Sequence, residues 1–342
     1  MAEKYVVIAN KLELELKKMR SEGVSKLPSE NSLAEKYSCS RQTVRAALDI
    51  LLESGLIEKR TGSGSYIVEE SHKNKTVYFI TEDCDRYLSP ALISGLRSEL
   101  AALKYTLKAF STFGSSKEEA AVIMRAVSEK AAAIIIEPVR DMIPNANEKL
   151  IEDAMNSRIP VIYINSSAGP SGVIHIAPGY REAGKNITEE LKSMGRKNIA
   201  CIFCTDSTSG IDGYKGYLDA VPSFDDSSCL LLSRKEEKEI LSGSNNILSS
   251  FADEISSGCD AVICQNGLLA NSLAGLLTKK GNKVPSDITV CSLDNYRTSN
   301  SDFIFSMGYD NSFFCKKLAK TAVALAEGGI AKDIVIPLMI NA

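Results

Sequence analysis

At 342 residues, 44% of them hydrophobic, the chain is long enough for two or three domains with packed cores. Its formal net charge is −3, which excludes a chain that holds nucleic acid through bulk positive charge. No run approaches the roughly 18 apolar residues of a membrane span, and the opening MAEKYVVIANKLELELKK lacks the apolar core of a signal peptide. A cytoplasmic protein without membrane attachment is therefore expected.

In chain order, Tyr5, Ile8, Ala9, Leu12, Leu16 and Met19 share one face of a helix over 3–21. Gly23 is a stop signal. Pro28 and Ser29 open a second helix with Leu33, Ala34 and Tyr37 inward, interrupted at Ser38-Cys39-Ser40. A third helix is predicted from Arg41 to about Glu53, with Val44, Ala47, Leu48, Leu51 and Leu52 inside, and Gly55 ends it. Residues 56–60 and 65–68 flank Thr61-Gly62-Ser63-Gly64 and predict a hairpin. Two helices joined by a tight turn and followed by a hairpin form a winged helix-turn-helix, whose second motif helix enters the major groove. Arg41, Gln42 and Arg45 then face out. Arginine reads guanine and glutamine reads adenine, and both also hold phosphate. Ser40 caps the helix, and Lys59 and Arg60 stand beside the wing glycines. Residues 1–70 carry 11 Lys+Arg against 11 Asp+Glu. The case for DNA therefore rests on placement, with no acid between Ser40 and Leu48.

EESHKNK (69–75) is polar and without period, and predicts a linker. From Thr76 apolar runs alternate with amphipathic helices. Strands are predicted at 76–80, 105–110, 132–136, 160–164, 173–177, 199–203, 260–264 and 288–292. Helices such as 91–103, 117–130, 180–194, 244–256 and 267–280 fall between them. This alternation predicts parallel α/β sheets, and the length of the segment suits two similar lobes. Ligands of such sheets bind beyond the carboxyl ends of the strands.

Nine cysteines suit a reducing compartment. Cys201 and Cys204 form a CxxC within IACIFC, but residues three apart on a strand face opposite ways, and no second CxxC follows. With His72 and His175 the only histidines, no metal site is expected. Gly62-Ser63-Gly64 sits in a hairpin rather than between strand and helix, so it is no phosphate loop. No catalytic constellation is visible, and neither enzyme activity nor a cofactor is expected.

The stretch LPSENSLAEKYSCSRQTVRAALDILLESGLIEKRTGSGSYIV (27–68) resembles the winged helix of the GntR family through Leu-Pro-Ser-Glu, Leu-Ala-Glu, Ser-Arg-x-Thr-Val-Arg, Gly-Leu-Ile and the Gly-x-Gly wing. The resemblance covers 3–68. It implies DNA contacts from Ser40, Arg41, Gln42, Thr43, Arg45 and the wing tip at Gly62 and Ser63. The family often has Arg after Pro-Ser-Glu, where this chain has Asn31.

Residues 76–342 resemble the LacI/GalR effector domain, itself similar to periplasmic sugar-binding proteins. The resemblance is carried by PVIYIN, GYREAGKNITEELKSMGRKNIACI, VPSDITVCSLDN and DIVIPLMI. The pairing with a GntR head resembles the arabinose-repressor group. It implies a two-lobed α/β body with three crossovers and a ligand cleft, a homodimer, and double-stranded operator DNA read as an inverted repeat. By position the cleft receives Tyr87, Ser89, Pro90, Asn165, Asn266, Asp294 and Tyr309. Sugar-binding members place an arginine three residues before the pair that is Gly213-Tyr214 here, and that position is Gly210. They have Asn-Asp where this chain has Asn266-Gly267. Asp206, Ser209 or Asp212 is expected to substitute. With no other cation evident there, a neutral, hydroxyl-rich effector is expected. The domain boundaries implied are 1–69, 70–75 and 76–342. The leading expectation is a repressor of carbohydrate-utilisation genes. The alternative is a DNA-binding regulator whose sensor has lost its ligand and serves as a dimerisation body.

Overall fold

A computed structural model describes residues 4–21, 24–60, 63–67, 74–221, 224–296 and 305–341. The chain divides into two compact units, residues 1–73 and 74–342.

The first unit holds α1 (Lys4–Ser21), α2 (Glu30–Lys36) and α3 (Arg41–Glu53), then the antiparallel pair β1 (Ile57–Arg60) and β2 (Gly64–Ile67). Ser29 and Ser40 cap α2 and α3, each hydroxyl accepting a backbone N–H three residues on. Ile8, Leu12, Leu16, Leu33, Val44, Ala47, Leu48, Leu51, Ile57 and Ile67 form one buried cluster. Leu52, expected inside, is 36% exposed, because Leu48 and Leu51 already fill the inward stripe of α3. Gly55 follows α3 with φ +64°, a left-handed turn that a side chain would strain.

The second unit is two α/β lobes. Its elements are β3 (Thr76–Thr81), α4 (Ser89–Ala102), β4 (Thr106–Ser111), α5 (Ser116–Ser128), β5 (Ala133–Ile136), α6 (Glu148–Asn156), β6 (Val161–Ile164), β7 (Ile174–Pro178), α7 (Tyr180–Ser193), β8 (Ile199–Cys204), α8 (Thr208–Ala220), β9 (Cys229–Leu232), α9 (Arg234–Leu241), α10 (Ile247–Ile255), β10 (Ala261–Cys264), α11 (Gly267–Lys279), β11 (Thr289–Ser292), β12 (Phe305–Gly308), α12 (Asn311–Ala326), β13 (Ile334–Ile336) and β14 (Met339–Asn341). The first-lobe sheet has the order β13-β7-β6-β5-β3-β4 and the second-lobe sheet β14-β12-β11-β10-β8-β9. Every pairing is parallel except β12 with β14.

The backbone passes between lobes three times: after β7, between β12 and α12, and between β13 and β14. α12 returns to the first lobe, where Phe314 and Leu318 join Phe79, Leu96 and Leu100. Both faces of each sheet are buried, which is why the strands read as unbroken apolar runs. α7 and α8 approach closely. A Cβ at Gly184 would stand 2.3 Å from the Gly213 carbonyl oxygen, and one at Gly216 would stand 2.0 Å from that of Arg181. On β8, Cys201 faces the cluster of Ile187 and Tyr217, while Cys204 faces that of Leu248 and Leu273. The two thiols therefore lie on opposite sides of the sheet.

Candidate DNA interface and ligand cleft

The cap fixes the start of α3 and with it the exposed face that is the candidate DNA interface. Ser40 Oγ accepts the Thr43 N–H at 3.1 Å and lies 2.8 Å from Thr43 Oγ1. Arg41, Gln42 and Arg45 are exposed, opposite the buried stripe of α3. The first turn holds no acid, so no carboxylate of α3 itself meets the partial positive charge of the helix N-terminus, which suits an anion. Both arginines meet one carboxylate. Glu30 accepts from Arg45 Nε at 2.9 and 3.1 Å, and Arg41 Nη2 stands 3.8 Å away. Exposed pairs like these add little to stability, but they fix where the guanidiniums point. In the wing, Arg60 lies 4.2 Å over the Tyr66 ring and Lys26 5.5 Å from it. The hydrogen bond with Ser63 at 2.6 Å lowers the Tyr66 pKa, and Lys26 and Arg60 lower it further. Lys59 is paired with Asp49 at 2.7 Å. Gly62 lies outside the described residues.

In the second unit the loops after the strands converge between the lobes. Two adjoining spaces of about 680 and 490 Å³ share Glu82, Glu137, Glu237 and Lys238 in their walls. Glu137, one residue past β5, carries one hydrogen bond on each oxygen. It accepts Thr81 Oγ1 at 2.7 Å and Asn165 Nδ2 at 3.0 Å. Arg234 begins α9 in the second lobe and reaches Asp141 of the first, Nη2 to Oδ2 at 2.6 Å. Asp141 Oδ2 also accepts the Thr208 N–H, and Thr208 Oγ1 donates to the Asp141 carbonyl at 3.0 Å. Lys238 forms a second bridge across the cleft to Glu82. The Tyr87 ring packs 4.8 Å from Tyr296 of the other lobe. Glu119, wholly buried, holds the Asp141 loop by accepting from Val139 N, Asn145 Nδ2 and Asn147 Nδ2 at 2.7–2.8 Å.

The expected cleft residues divide into three groups. Tyr87, Ser89 and Asn266 line the larger space. Asn266 also caps α11 through Leu269 N, and its Nδ2 donates to Glu237 at 2.5 Å. Asn165 borders the cleft through Glu137. Asp294 is buried behind it, accepting the Gly267 and Tyr296 N–H groups, each at 3.0 Å. Burial pushes the Asp294 carboxyl up to about 7. Tyr309 packs edge-on to Phe314 at a crossover, against the cores of both lobes. Pro90 is exposed in the first turn of α4 and lines neither space. Asp212 sits on α8 beside Lys215 and lines a separate groove with His175 and Arg181.

Gly210 cannot carry a clamp. A Cβ there would stand 2.0 Å from the Cys204 carbonyl oxygen and 2.6 Å from Gln265 Oε1. A Cβ at Gly267 would stand 2.3 Å from the Tyr296 carbonyl oxygen. The expectation that no cation replaces the missing arginine is corrected by Arg234 and Lys238. Asp206, considered as a substitute, accepts from Arg234 N at 2.8 Å at the start of α9. Nothing in the sequence marks Arg234, because RKEEKEIL has the composition of a solvated helix. Glu30 stands in the Leu-Pro-Ser-Glu signature, but its contact with both arginines shows only in the fold.

Comparisons with known proteins follow the same division of the chain. The model of bacterial regulatory proteins of the gntR family matches residues 4–67. The model of periplasmic binding proteins and the sugar binding domain of the LacI family matches residues 74–318. An arabinose metabolism transcriptional repressor of Geobacillus stearothermophilus is 27% identical over 280 residues, spanning 79% of this chain and 76% of the relative. A Caulobacter myo-inositol binding protein bound to myo-inositol superposes with a TM-score of 0.67 at 16% identity, over 80% of this chain and 95% of the other. A transcriptional regulator CelR–cellobiose complex superposes with a TM-score of 0.66 at 14% identity, over 92% and 99%. At these identities the two structures bear on the fold. No helix among the described residues is long and apolar enough to cross a membrane.

Proposed function

Because the chain belongs to the family of periplasmic binding proteins and LacI sugar binding domains, with a regulatory head of the gntR family, we propose that it is a homodimeric repressor of carbohydrate-utilisation genes. Its hold on operator DNA changes when a small, neutral, hydroxyl-rich molecule occupies the cleft. The head reads an inverted repeat through Ser40, Arg41, Gln42, Thr43 and Arg45, with the wing alongside. The lobes are the element with two arrangements, and the effector shifts their populations by binding one better than the other.

One observation carries this reading. Tyr87 Oη, Thr112 Oγ1, Asp141 Oδ1 and Asn165 Oδ1 are buried around the cleft without a hydrogen-bond partner among the described residues. An unmet buried polar group costs about 1–3 kcal/mol; Tyr87 and Thr112 stand in the walls of the two spaces, and Asp141 and Asn165 are bonded to the wall residues Arg234 and Glu137, a grouping that supports a polar ligand there. Tyr87 and Thr112 would each give or take a hydrogen bond with a ligand hydroxyl. Arg234 and Lys238 are paired with Asp141 and Glu82, and the walls that hold Arg86 and Arg140 also hold Glu82, Glu137 and Glu237, so no excess of positive charge calls for an acidic ligand. The arabinose repressor among the relatives and the inositol and cellobiose complexes among the structural neighbours support the same ligand class.

A thermal-shift screen of neutral mono- and disaccharides tests it. A ligand at a hundredfold excess over its Kd adds about 2.7 kcal/mol of apparent stability. Tyr87→Phe removes only an unpartnered hydroxyl, so it weakens that response while the unliganded Tm stays level or rises. The second reading, a dimerisation body without a ligand, is favoured by the two bridges that already join the lobes. It is upheld if no sugar shifts the Tm while the chain still dimerises and binds its operator.

A further inference from the structure

Of the CxxC thiols, Cys204 donates to Glu237 in the cleft wall at 3.5 Å, whereas strand register brings Cys201 to a different partner. β8 and β9 are parallel neighbours with Cys201 opposite Cys229. The two Sγ atoms lie 3.3 Å apart, Cys201 donating to Cys229. Neighbouring strands are spaced about 4.7–4.9 Å, inside the roughly 4.4–6.8 Å Cα separation that a disulfide spans. The pair is asymmetric. Cys201 is wholly buried within the sheet, whereas Cys229 is half-buried at the start of the edge strand β9. The hydrogen bond from Cys201 also lowers the Cys229 pKa, while burial pushes Cys201 well up. The outer sulfur is thus the more exposed of the two and the one whose thiolate the hydrogen bond favours.

We propose that Cys201 and Cys229 are an oxidation-sensitive pair that a small hydroperoxide converts into an intramolecular disulfide. The Cys229 thiolate attacks a peroxide oxygen. The O–O bond breaks, the leaving oxygen takes a proton, and Cys229 becomes a sulfenic acid. Cys201 then gives up its proton and attacks the Cys229 sulfur, the S–O bond breaks, and water leaves. Two thiols have lost two electrons and two protons, and the peroxide has become an alcohol (water, for hydrogen peroxide) and one further water. β9 ends two residues before Arg234, so the bond would tether the strand that delivers this arginine to the cleft.

The test uses the full chain, folded, treated with hydrogen peroxide, alkylated, digested without reductant and read by mass spectrometry. The expected product is one cross-linked peptide pair containing Cys201 and Cys229, 2 Da lighter than the reduced pair, in a protein whose circular dichroism spectrum is unchanged. Cys201→Ala should leave Cys229 as a sulfenic or sulfinic acid, and Cys229→Ser should leave Cys201 reduced. Three results would overturn the proposal: both cysteines alkylated after treatment, Cys229 oxidised in the unaltered chain without a link to Cys201, or Cys229 linked instead to Cys259, the other thiol near it.

Discussion

Arg234 at the start of α9 bridges to Asp141 in the loop after β5, joining the two lobes through a guanidinium 29% exposed and a carboxylate 6% exposed. Breaking a fully buried pair costs about 3–5 kcal/mol. Partial exposure of the arginine reduces that, so Arg234→Ala should lower stability by about 1–3 kcal/mol. With Asp141→Asn it completes a double-mutant cycle in urea. A coupling energy above about 0.5 kcal/mol is expected; additivity within that margin would mean the bridge does not join the lobes energetically.

Asp294 should give the fold a pH dependence of known sign. Its folded pKa of about 7 lies above the ordinary 3.8, so as pH rises the unfolded chain releases this proton first. The native state then loses stability from about pH 4 to about pH 7, with no further change above. Asp294→Asn keeps an oxygen for the Gly267 and Tyr296 N–H groups and should remove this slope. Denaturation curves of both chains at pH 4.5, 6 and 8 check it. The expected outcome is a difference that grows with pH in favour of Asn; parallel curves would contradict it.

Restoring an arginine at position 210 should not restore a sugar clamp. The Cβ alone meets a strand carbonyl at 2.0 Å, closer than packing can relieve by rotating a side chain. Gly210→Ala is expected to cost more than the roughly 1–3 kcal/mol of ordinary overpacking, and Gly210→Arg to leave little soluble protein. Melting temperatures of the two variants decide this, and a well-folded Gly210→Arg chain would refute it.

In the head, Arg41→Ala or Arg45→Ala should each weaken operator binding by about 1–3 kcal/mol. Glu30→Gln keeps the arginines but loosens their aim. It is expected to reduce discrimination between operator and scrambled DNA while leaving affinity for scrambled DNA equal or higher. Fluorescence anisotropy on both duplexes at one salt concentration measures the ratio. An unchanged ratio would reduce Glu30 to a surface ion pair.

The sequence carried most of the architecture because buried parallel strands are apolar runs, and all eight predicted strands are present. Of the other four, β13 and β14 have three residues each, too few for a period to register, FSMG (305–308) is half polar or glycine rather than an apolar run, and CLLL (229–232) is apolar but stands alone between polar stretches. The site was legible only in part. Tyr87, Ser89 and Asn266 follow strand ends and line the cleft. Asp212 stands outside the cleft because Gly213 packs inward against Leu293 and Phe203, which turns the preceding residue toward Lys215. Arg234 was hidden because no local pattern distinguishes the one residue of a charged helix that points into a cleft.

If cleft and operator are coupled, operator binding by the full chain must respond to sugar. Anisotropy titrations of a labelled operator, with and without each member of a panel of neutral mono- and disaccharides, should find at least one sugar that changes Kd by tenfold or more, about 1.4 kcal/mol of coupling. Tyr87→Phe should reduce that change without altering operator affinity in its absence. A chain that binds its operator with the same Kd in the presence of every sugar would contradict the account.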